Sequence, residues 1–326
     1  MLSDARASFA LAARQSRGMI GPDATLLPEG PVPDGPTRAS VPRAALSSWR
    51  RDHGSALRRR PALWIGLGLL IIATTLAIFG PFVWQHDPNA INILDNLQAP
   101  SLAHPMGTDE QGRDVFARVL SGARISLAVG GAVMVAGAVI GCLTGIISAL
   151  SWGPVDFAFM RVMDSLLAFP PLILAMAVTI ALGTGVLTAS VGIVLTTIPW
   201  YARLVRADVL RIRSLPFYEA SEALGASRRR LILRHITPHL SSTLLVQSAS
   251  VFGYSILALA ALGFVGLGAQ IPTPEWGAMI TDGLQSALTG QWWITVFPGI
   301  GLLVVVTGAN VVADGLRDLL DPHADV

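Results

Sequence analysis

Long apolar runs constrain this chain more than any other feature of its sequence. The longest, residues 165–202, is free of charge over 38 residues, and four more cover residues 62–84, 125–152, 236–267 and 292–313. Because a membrane-spanning helix needs about 20 apolar residues, the longest run is predicted to hold two spans. The Gly-Thr-Gly sequence at 183–185 divides it, and its first span is expected to begin near Phe157. The sequence therefore predicts an all-α membrane protein with six transmembrane helices.

The charged residues support this class and indicate the orientation. Only 13% of the residues are charged, whereas soluble domains carry about 25%. Ten arginines precede residue 61 and eight lie between residues 203 and 234, but only Arg113, Arg118 and Arg124 lie between the first two spans. Since arginine-rich loops stay in the cytoplasm, both termini are predicted to be cytoplasmic.

Residues 1–60 are predicted to form a disordered cytoplasmic tail, and residues 61–322 the transmembrane domain. The tail holds six prolines, ten arginines and five acidic residues without a sustained period. Such a segment cannot bury enough apolar surface to fold. An organelle transit peptide is the alternative for its first twenty residues, and the acidic residues of the tail argue against it.

The segment between the first two spans is predicted to carry an amphipathic helix on the outer membrane surface, over about residues 108–123. Thr108 and Gln111 form a capping-box pattern at its start. The apolar residues that follow, from Val115 to Ala123, fall on one face, opposite Arg118. A helix with such a face lies in the membrane interface.

A polar stretch over about residues 214–235 separates the fourth and fifth spans. Pro216 favours a helix start, Gly225 stands where a left-handed helix end belongs, and Ser227 can cap a second helix. We therefore predict a short helix, a sharp turn and a longer helix that returns to the membrane. A helix of about nine residues is marginal alone in water, so a partner is expected to dock on the first one.

This polar stretch resembles the EAA loop of the permease subunits of ABC importers. The pattern is present as Glu219-Ala220-Ser221, Gly225 and the distal Pro238, with Ser221 in place of the usual third alanine. The outer segment, residues 169–171 and residues 199–206 also resemble the C-type permeases for oligopeptides, dipeptides and nickel. The resemblance covers roughly residues 62–322.

The resemblance implies the type I ABC importer permease fold in a bacterial inner membrane. It implies a homologous permease as heterodimer partner, two cytoplasmic ATPase subunits and an extracytoplasmic solute-binding protein, in contact with membrane lipid and without nucleic acid. ATP and Mg²⁺ are expected on the ATPase subunits, and no cofactor on this chain. The residues expected to couple to the ATPase are Phe217, Tyr218, Glu219, Ala220, Ser221, Leu224, Gly225 and Pro238. Those expected at an external gate and binding-protein contact are Asp109, Glu110, Arg113 and Asp114.

Catalysis by this chain is not expected. The chain has no lysine, so it cannot supply the phosphate-binding lysine of a G-x-x-x-x-G-K-[ST] loop. His235 and His239 have the i, i+4 spacing of a metal pair, but no carboxylate lies nearby in sequence. No metal site is therefore expected.

A polar stripe on the fifth span is the candidate solute pathway. Ser241, Ser248 and Ser255 recur every seven residues, with Gln247 alongside, and such residues fall near one side of a helix. Neutral hydrogen-bonding groups suit peptide backbones, and helix–helix packing is the alternative use. Two other functions stay open: an ion-coupled secondary transporter, which needs ionisable residues at membrane depth, and a permease for a nickel chelate.

Overall fold

The computed structural model describes residues 61–320, so the predicted tail over residues 1–60 lies outside the described residues. Within residues 61–320 the structure contains helices and one isolated bridge between Thr108 and Asp114, which confirms the all-α fold class. A π-helical turn, Ile232–Ile236, joins the seventh and eighth helices. The helices are α1 Pro61–Val83, α2 Val115–Leu150, α3 Gly153–Leu167, α4 Pro171–Leu182, α5 Val186–Arg213, α6 Pro216–Ala223, α7 Arg228–Leu231, α8 Thr237–Phe264, α9 Trp276–Asp282, α10 Leu284–Leu288 and α11 Trp293–Leu320.

Four helical segments are long and apolar enough to cross a membrane: α1, α2, the run Arg228–Phe264 and α11. α3 and α4 together make a fifth candidate span, which is bent by 92°. α5 has 28 residues, and its second half carries four arginines. Length and composition thus support four spans, or five with the bent pair. The prediction of six spans, which counts α5 as well, remains a prediction.

Prolines and glycines set two breaks between helices, of which the sequence indicated the one at residues 183–185. Pro170 and Pro171 stand at the start of α4, where a residue without an N–H group cannot continue the hydrogen bonding of α3. Gly183, with φ of +97°, ends α4. The N–H group of Gly185 donates to the carbonyl of Leu267 at 3.2 Å, so the turn between α4 and α5 is tied to the segment that follows α8.

The predicted surface helix over residues 108–123 is wrong, because α2 starts at Val115 and continues unbroken to Leu150. Asp114 caps it, not Thr108, since the Asp114 carboxylate accepts from the Ala117 N–H at 2.7 Å. The segment is not amphipathic in its setting, because other parts of the chain cover both its faces. Trp276 of α9 donates to the carbonyl of Val119 at 3.1 Å, and Arg118 itself is buried.

Glycines bring α2 and α5 into close contact. Gly137, Gly141 and Gly145, spaced four residues apart on α2, are all buried. A β-carbon on Gly141 would lie 2.8 Å from the carbonyl oxygen of Ile198, and one on Gly145 would lie 2.6 Å from that of Ala202. Small residues at this spacing let helices in lipid approach closely and gain van der Waals contact. These three glycines therefore determine how closely α2 and α5 pack.

We expect a bulkier residue at Gly141 to force α2 and α5 apart. Gly141→Val should lower the thermal stability of the purified protein in detergent by an amount equivalent to about 1–3 kcal/mol, the usual cost of overpacking. Gly131→Val is the matched control on the same helix, because nothing lies within 4 Å of a β-carbon there. Equal melting temperatures for the two variants would contradict the close-packing assignment.

Candidate functional site

The polar stretch forms the helix–turn–helix that the sequence predicted. α6 begins at Pro216 and ends at Ala223, with Glu219 in its first turn. Gly225 adopts φ of +77°, and nothing lies within 4 Å of a β-carbon placed on it. Glycine is therefore required there for backbone conformation and not for space. Ser227 caps the second helix by accepting from the Arg230 N–H at 3.4 Å.

The second helix returns toward the spans through an irregular turn. α7 has four residues and passes through the π-turn Ile232–Ile236 into α8, where Pro238 lies in the first turn. The N–H group of Thr237 donates to the carbonyl of Ile232, five residues earlier. Such single π-turns inside helices occur frequently at functional sites. The distal proline of the EAA-like pattern thus marks the point where the loop becomes α8.

Only part of the expected apolar anchor on α6 is available to another protein. Leu224 is 89% exposed and Phe217 is 37% exposed, and the Phe217 ring stacks on His239 with centroids 5.2 Å apart. Tyr218 is 3% exposed, so its predicted role as an anchor is wrong. Its side chain turns inward, because α6 lies against the ends of other helices.

The buried Tyr218 connects α6 to three long helices. It packs in one apolar cluster with residues from the end of α2, the second half of α5, α7, the π-turn and the start of α8, namely Ala149, Val205, Val209, Ile212, Leu231, Ile236 and Leu240. Burial raises the pKa of the Tyr218 phenol, in keeping with this apolar setting. Arg213 adds a hydrogen bond of 2.7 Å to the carbonyl of Ala149. A displacement of α6 would therefore reach α2, α5 and α8 together.

The outward surface of α6 and its turn is exposed and strongly charged. Glu219, Ala220, Glu222 and Ala223 are exposed. Arginines 228–230 are exposed beside them. A hollow of about 320 Å³ lies between the two helices and is lined by Ser221, Leu224, Ala226, Arg230, Arg234 and His235. Leu224 gives this surface an exposed apolar side chain, and the surrounding glutamates and arginines give it both negative and positive charges.

At the other end of the spans, three of the four expected gate residues are buried. Asp109 accepts from the Nε of Arg113 at 2.6 Å, and Arg118 lies 3.7 Å from the same carboxylate oxygen. Asp114 caps α2 and lies 2.8 Å from Nδ1 of His104. The prediction that Asp109, Arg113 and Asp114 contact a binding protein is therefore wrong, since they hold the outer loop together.

Glu110 is the exposed member of that group. Its carboxylate accepts from the Ser286 hydroxyl at 2.5 Å, which joins the outer loop to α10. A cavity of about 220 Å³ opens beside it and is lined by Asp109, Glu110, Gln111, Arg113, Val115, Arg118, Ile271, Met279, Asp282 and Ile294. Nearby, burial raises the pKa of the fully buried Glu275, against the opposing effect of hydrogen bonds from the N–H groups of Gly277 and Ala278.

The serine stripe expected along the pathway is open only in part, since Ser241 is exposed, Ser248 is partly exposed and Ser255 is buried. Ser255 is fully buried and donates to the carbonyl of Val251 on its own helix at 2.7 Å. Ser248 accepts from the hydroxyl of Tyr201 on α5 at 3.1 Å. These two residues serve helix packing, which was the alternative use. Ser241 is exposed at the start of α8, and Gln247 is partly exposed beside a cavity.

Sequence reasoning missed an ion pair that fixes α3. Two guanidinium nitrogens of Arg206 on α5, Nε and Nη2, donate to the Asp156 carboxylate at 2.7 and 2.5 Å. Ser148, near the end of α2, donates to the same carboxylate. Fifty residues separate Asp156 from Arg206, so no local pattern could pair them.

Comparison with protein families gives two matches, which are separated by residues 101–136. The family described as the binding-protein-dependent transport system inner membrane component matches residues 137–326. The N-terminal transmembrane domain of oligopeptide transport permease C matches residues 47–100.

Curated relatives cover most of the chain. A probable D,D-dipeptide transport system permease protein of Escherichia coli strain K12 is 43% identical over 78% of this chain and 86% of its own length. A dipeptide transport system permease protein of Alkalihalophilus pseudofirmus is 38% identical over 85% of this chain and 91% of its own. A glutathione transport system permease protein of Escherichia coli O6:K15:H31 is 39% identical over 84% of this chain and 89% of its own.

A solved structure supports the same fold. A chain of the MetNI methionine ABC transporter in an inward-facing conformation superposes with a TM-score of 0.50 at 18% identity. The match covers 63% of this chain and 97% of the other. The helical arrangement is thus that of a type I ABC importer permease.

Because Asp109 and Arg113 are buried, replacing Asp109 is predicted to lower the stability of the protein more than replacing the neighbouring Glu110. Asp109→Asn should destabilise the purified protein by about 3 kcal/mol, because breaking a buried ion pair leaves an uncompensated charge on Arg113. Glu110→Gln is the matched control, since its amide oxygen can still accept from Ser286. Thermal unfolding in detergent measures both variants, and an equal loss in the two would refute the structural role of Asp109.

Proposed function

The chain belongs to the family of inner-membrane components of binding-protein-dependent transport systems, and from this membership we propose that it forms half of a translocation pathway for short peptides. It is a multi-pass inner-membrane protein and a permease subunit of an ABC importer. Membership of this family argues against the alternative hypothesis from the sequence, an ion-coupled secondary transporter. The names of the relatives, which specify dipeptide, D,D-dipeptide and glutathione transport, support the peptide class.

The observation that carries the proposal is that α6 is exposed on one side and is anchored to the other helices by the buried Tyr218. A docking helix needs an accessible surface to receive force and a rigid connection to transmit it. Leu224 and the partly exposed Phe217 supply the apolar surface, and apolar anchors usually carry most of an interface's binding energy. Tyr218 supplies the connection to α2, α5 and α8.

We propose two ATPase subunits as the partners that hydrolyse ATP with Mg²⁺, one of which binds this surface in a groove. This chain binds no cofactor in the proposal, and a chain without lysine lacks the phosphate-binding residue of a P-loop. A homologous permease would complete the pathway as a heterodimer, and an extracytoplasmic binding protein would deliver the solute. The arginine distribution supports placing both termini and α6 in the cytoplasm.

In the proposed mechanism, closure of the ATPase subunits displaces α6 and turns the attached helices as one body. Because Tyr218 lies among the ends of three helices, the displacement shifts the balance between inward-open and outward-open arrangements. Such a shift requires that ATP and the loaded binding protein bind one arrangement better than the other. Hydrolysis then returns the helices to their starting arrangement.

The left-handed turn at Gly225 predicts a loss of coupling when it is changed. Gly225→Val should keep the protein in the membrane but lower both solute uptake and the stimulation of ATP hydrolysis by the loaded binding protein. The reason is that φ of +77° costs a residue with a β-carbon roughly 1–2 kcal/mol, so the orientation of α6 relative to α7 changes.

Gly225→Asn is the matched control, because asparagine tolerates the left-handed conformation. The measurement uses the complete transporter in lipid vesicles, with ATPase rates taken with and without binding protein and solute. Normal stimulation in Gly225→Val would show that the turn does not couple α6 to the spans.

The substrate class is tested by uptake into vesicles that contain the complete transporter and its binding protein. We expect ATP-dependent uptake of a radiolabelled dipeptide, reduced by an excess of unlabelled dipeptide. A nickel chelate tested in parallel should neither enter nor compete. Uptake of the chelate without uptake of the peptide would overturn the peptide assignment and leave the permease role intact.

A further inference from the structure

α8 carries an open polar stripe that differs from the serine stripe of the sequence. Thr243, Gln247, Ser250 and Tyr254 are partly exposed, and their spacings of four, three and four residues place them on one face of a helix. At 3.6 residues per turn this face lies about a third of a turn from Ser248 and Ser255. We call Thr243, Gln247, Ser250 and Tyr254 the open stripe.

The open stripe lies at membrane depth. α8 covers Thr237–Phe264, so Ser250 is within one residue of its midpoint, and Gln247 is about 15 Å from its first residue at 1.5 Å per residue. The hydrocarbon core of a bilayer is about 30 Å thick. The stripe therefore crosses the centre of α8, and its Thr243 end reaches the inner part of the helix.

Gln247 makes this face unsuitable for lipid. Its carboxamide has no hydrogen-bond partner within residues 61–320, although it has two donors and an acceptor. An amide in a hydrocarbon environment without hydrogen bonds costs several kcal/mol. The side chain must instead meet water, a solute or another chain.

The ends of the stripe carry two further groups. The ring of Trp200 on α5 lies beside that of Tyr254, with centroids 4.9 Å apart. At the inner end, Thr243 and Gln247 line a cavity of about 320 Å³ with Leu204, Ser242, Val246, Arg317 and Leu320. The surface thus combines neutral hydrogen-bonding groups, an aromatic pair and one guanidinium group.

We propose that the open stripe lines the water-filled pathway and hydrogen-bonds the backbone amides of a passing peptide. This proposal rests on the proposed function, because it takes the solute to be a peptide. Hydroxyl and carboxamide groups match the N–H and C=O groups that every peptide presents, whatever its side chains. Trp200 and Tyr254 offer an apolar wall, and Arg317 can pair with a terminal carboxylate at the inner mouth.

The single cysteine of the chain gives a direct test. Cys142 on α2 is the chain's one cysteine, so Cys142→Ala provides a background in which Gln247→Cys and Ser250→Cys are introduced separately. Leu245→Cys is the matched control, because Leu245 is on the same helix, is 56% exposed and lies on the opposite side. The complete transporter in lipid vesicles is treated with a water-soluble methanethiosulfonate reagent.

We expect Gln247→Cys and Ser250→Cys to react at least about tenfold faster than Leu245→Cys, because thiolates form in water and not in lipid. Excess dipeptide with the binding protein should slow labelling at Gln247→Cys. Labelling as slow as that of Leu245→Cys would overturn the proposal and assign the stripe to the partner permease or to lipid.

Labelling without solute and labelling with excess dipeptide test this proposal separately from the assignment of the substrate as a peptide. The labelling rates without solute depend only on access to water, so they remain decisive if the vesicles import another solute. If the vesicles take up dipeptide but dipeptide does not slow the labelling, the assignment of peptide contact to the open stripe is wrong. If dipeptide is not imported at all, the failure belongs to the substrate class.

Discussion

The contact between α2 and α5 is the interaction on which the rest of the molecule depends. Three glycines on α2 allow the two backbones to approach until a β-carbon would meet a carbonyl oxygen. α2 begins at the outer loop and ends beside α3, while α5 begins at the turn after α4 and ends at α6. Fixing this pair therefore positions the outer cavity, the bent α3–α4 unit and the exposed α6 relative to one another.

The charged contacts are secondary to that packing and act at the helix ends. Asp156 binds Arg206 and Ser148 where α2, α3 and α5 meet, and Asp109 binds Arg113 in the outer loop. The Asp109–Arg113 pair is buried, whereas Asp156 and Arg206 are partly exposed. A buried ion pair contributes little net stability compared with apolar packing, but removal of one of its partners is costly.

The sequence predicted the features that depend on local chemistry. The apolar runs, the break at Gly183 and the left-handed turn at Gly225 each follow from what those residues permit in their own stretch of backbone. The failures share one cause, which is burial by distant segments. Arg118 and Tyr218 look solvent-facing on a helical projection. Arg118 is instead buried and donates to Pro88, Asn89 and Pro272 in the outer loops, and Tyr218 is covered by the ends of α2, α5 and α8. On α8, likewise, the burial of Ser255 depends on the helices that pack against it, which the sequence does not show.

The hydrogen bond between Gly185 and Leu267 gives the mechanics of the cycle a definite form. α5 and α8 are joined by α6 and α7 at one end, and at the other by this bond and by the packing of Ala189 and Ile193 against Leu259 and Leu262. The two helices are thus connected to each other at both ends. A push on the α6 end would therefore favour a tilt of the two helices together over their separation. In such a tilt the inner ends of the two helices, next to α6, move most and their outer ends move least.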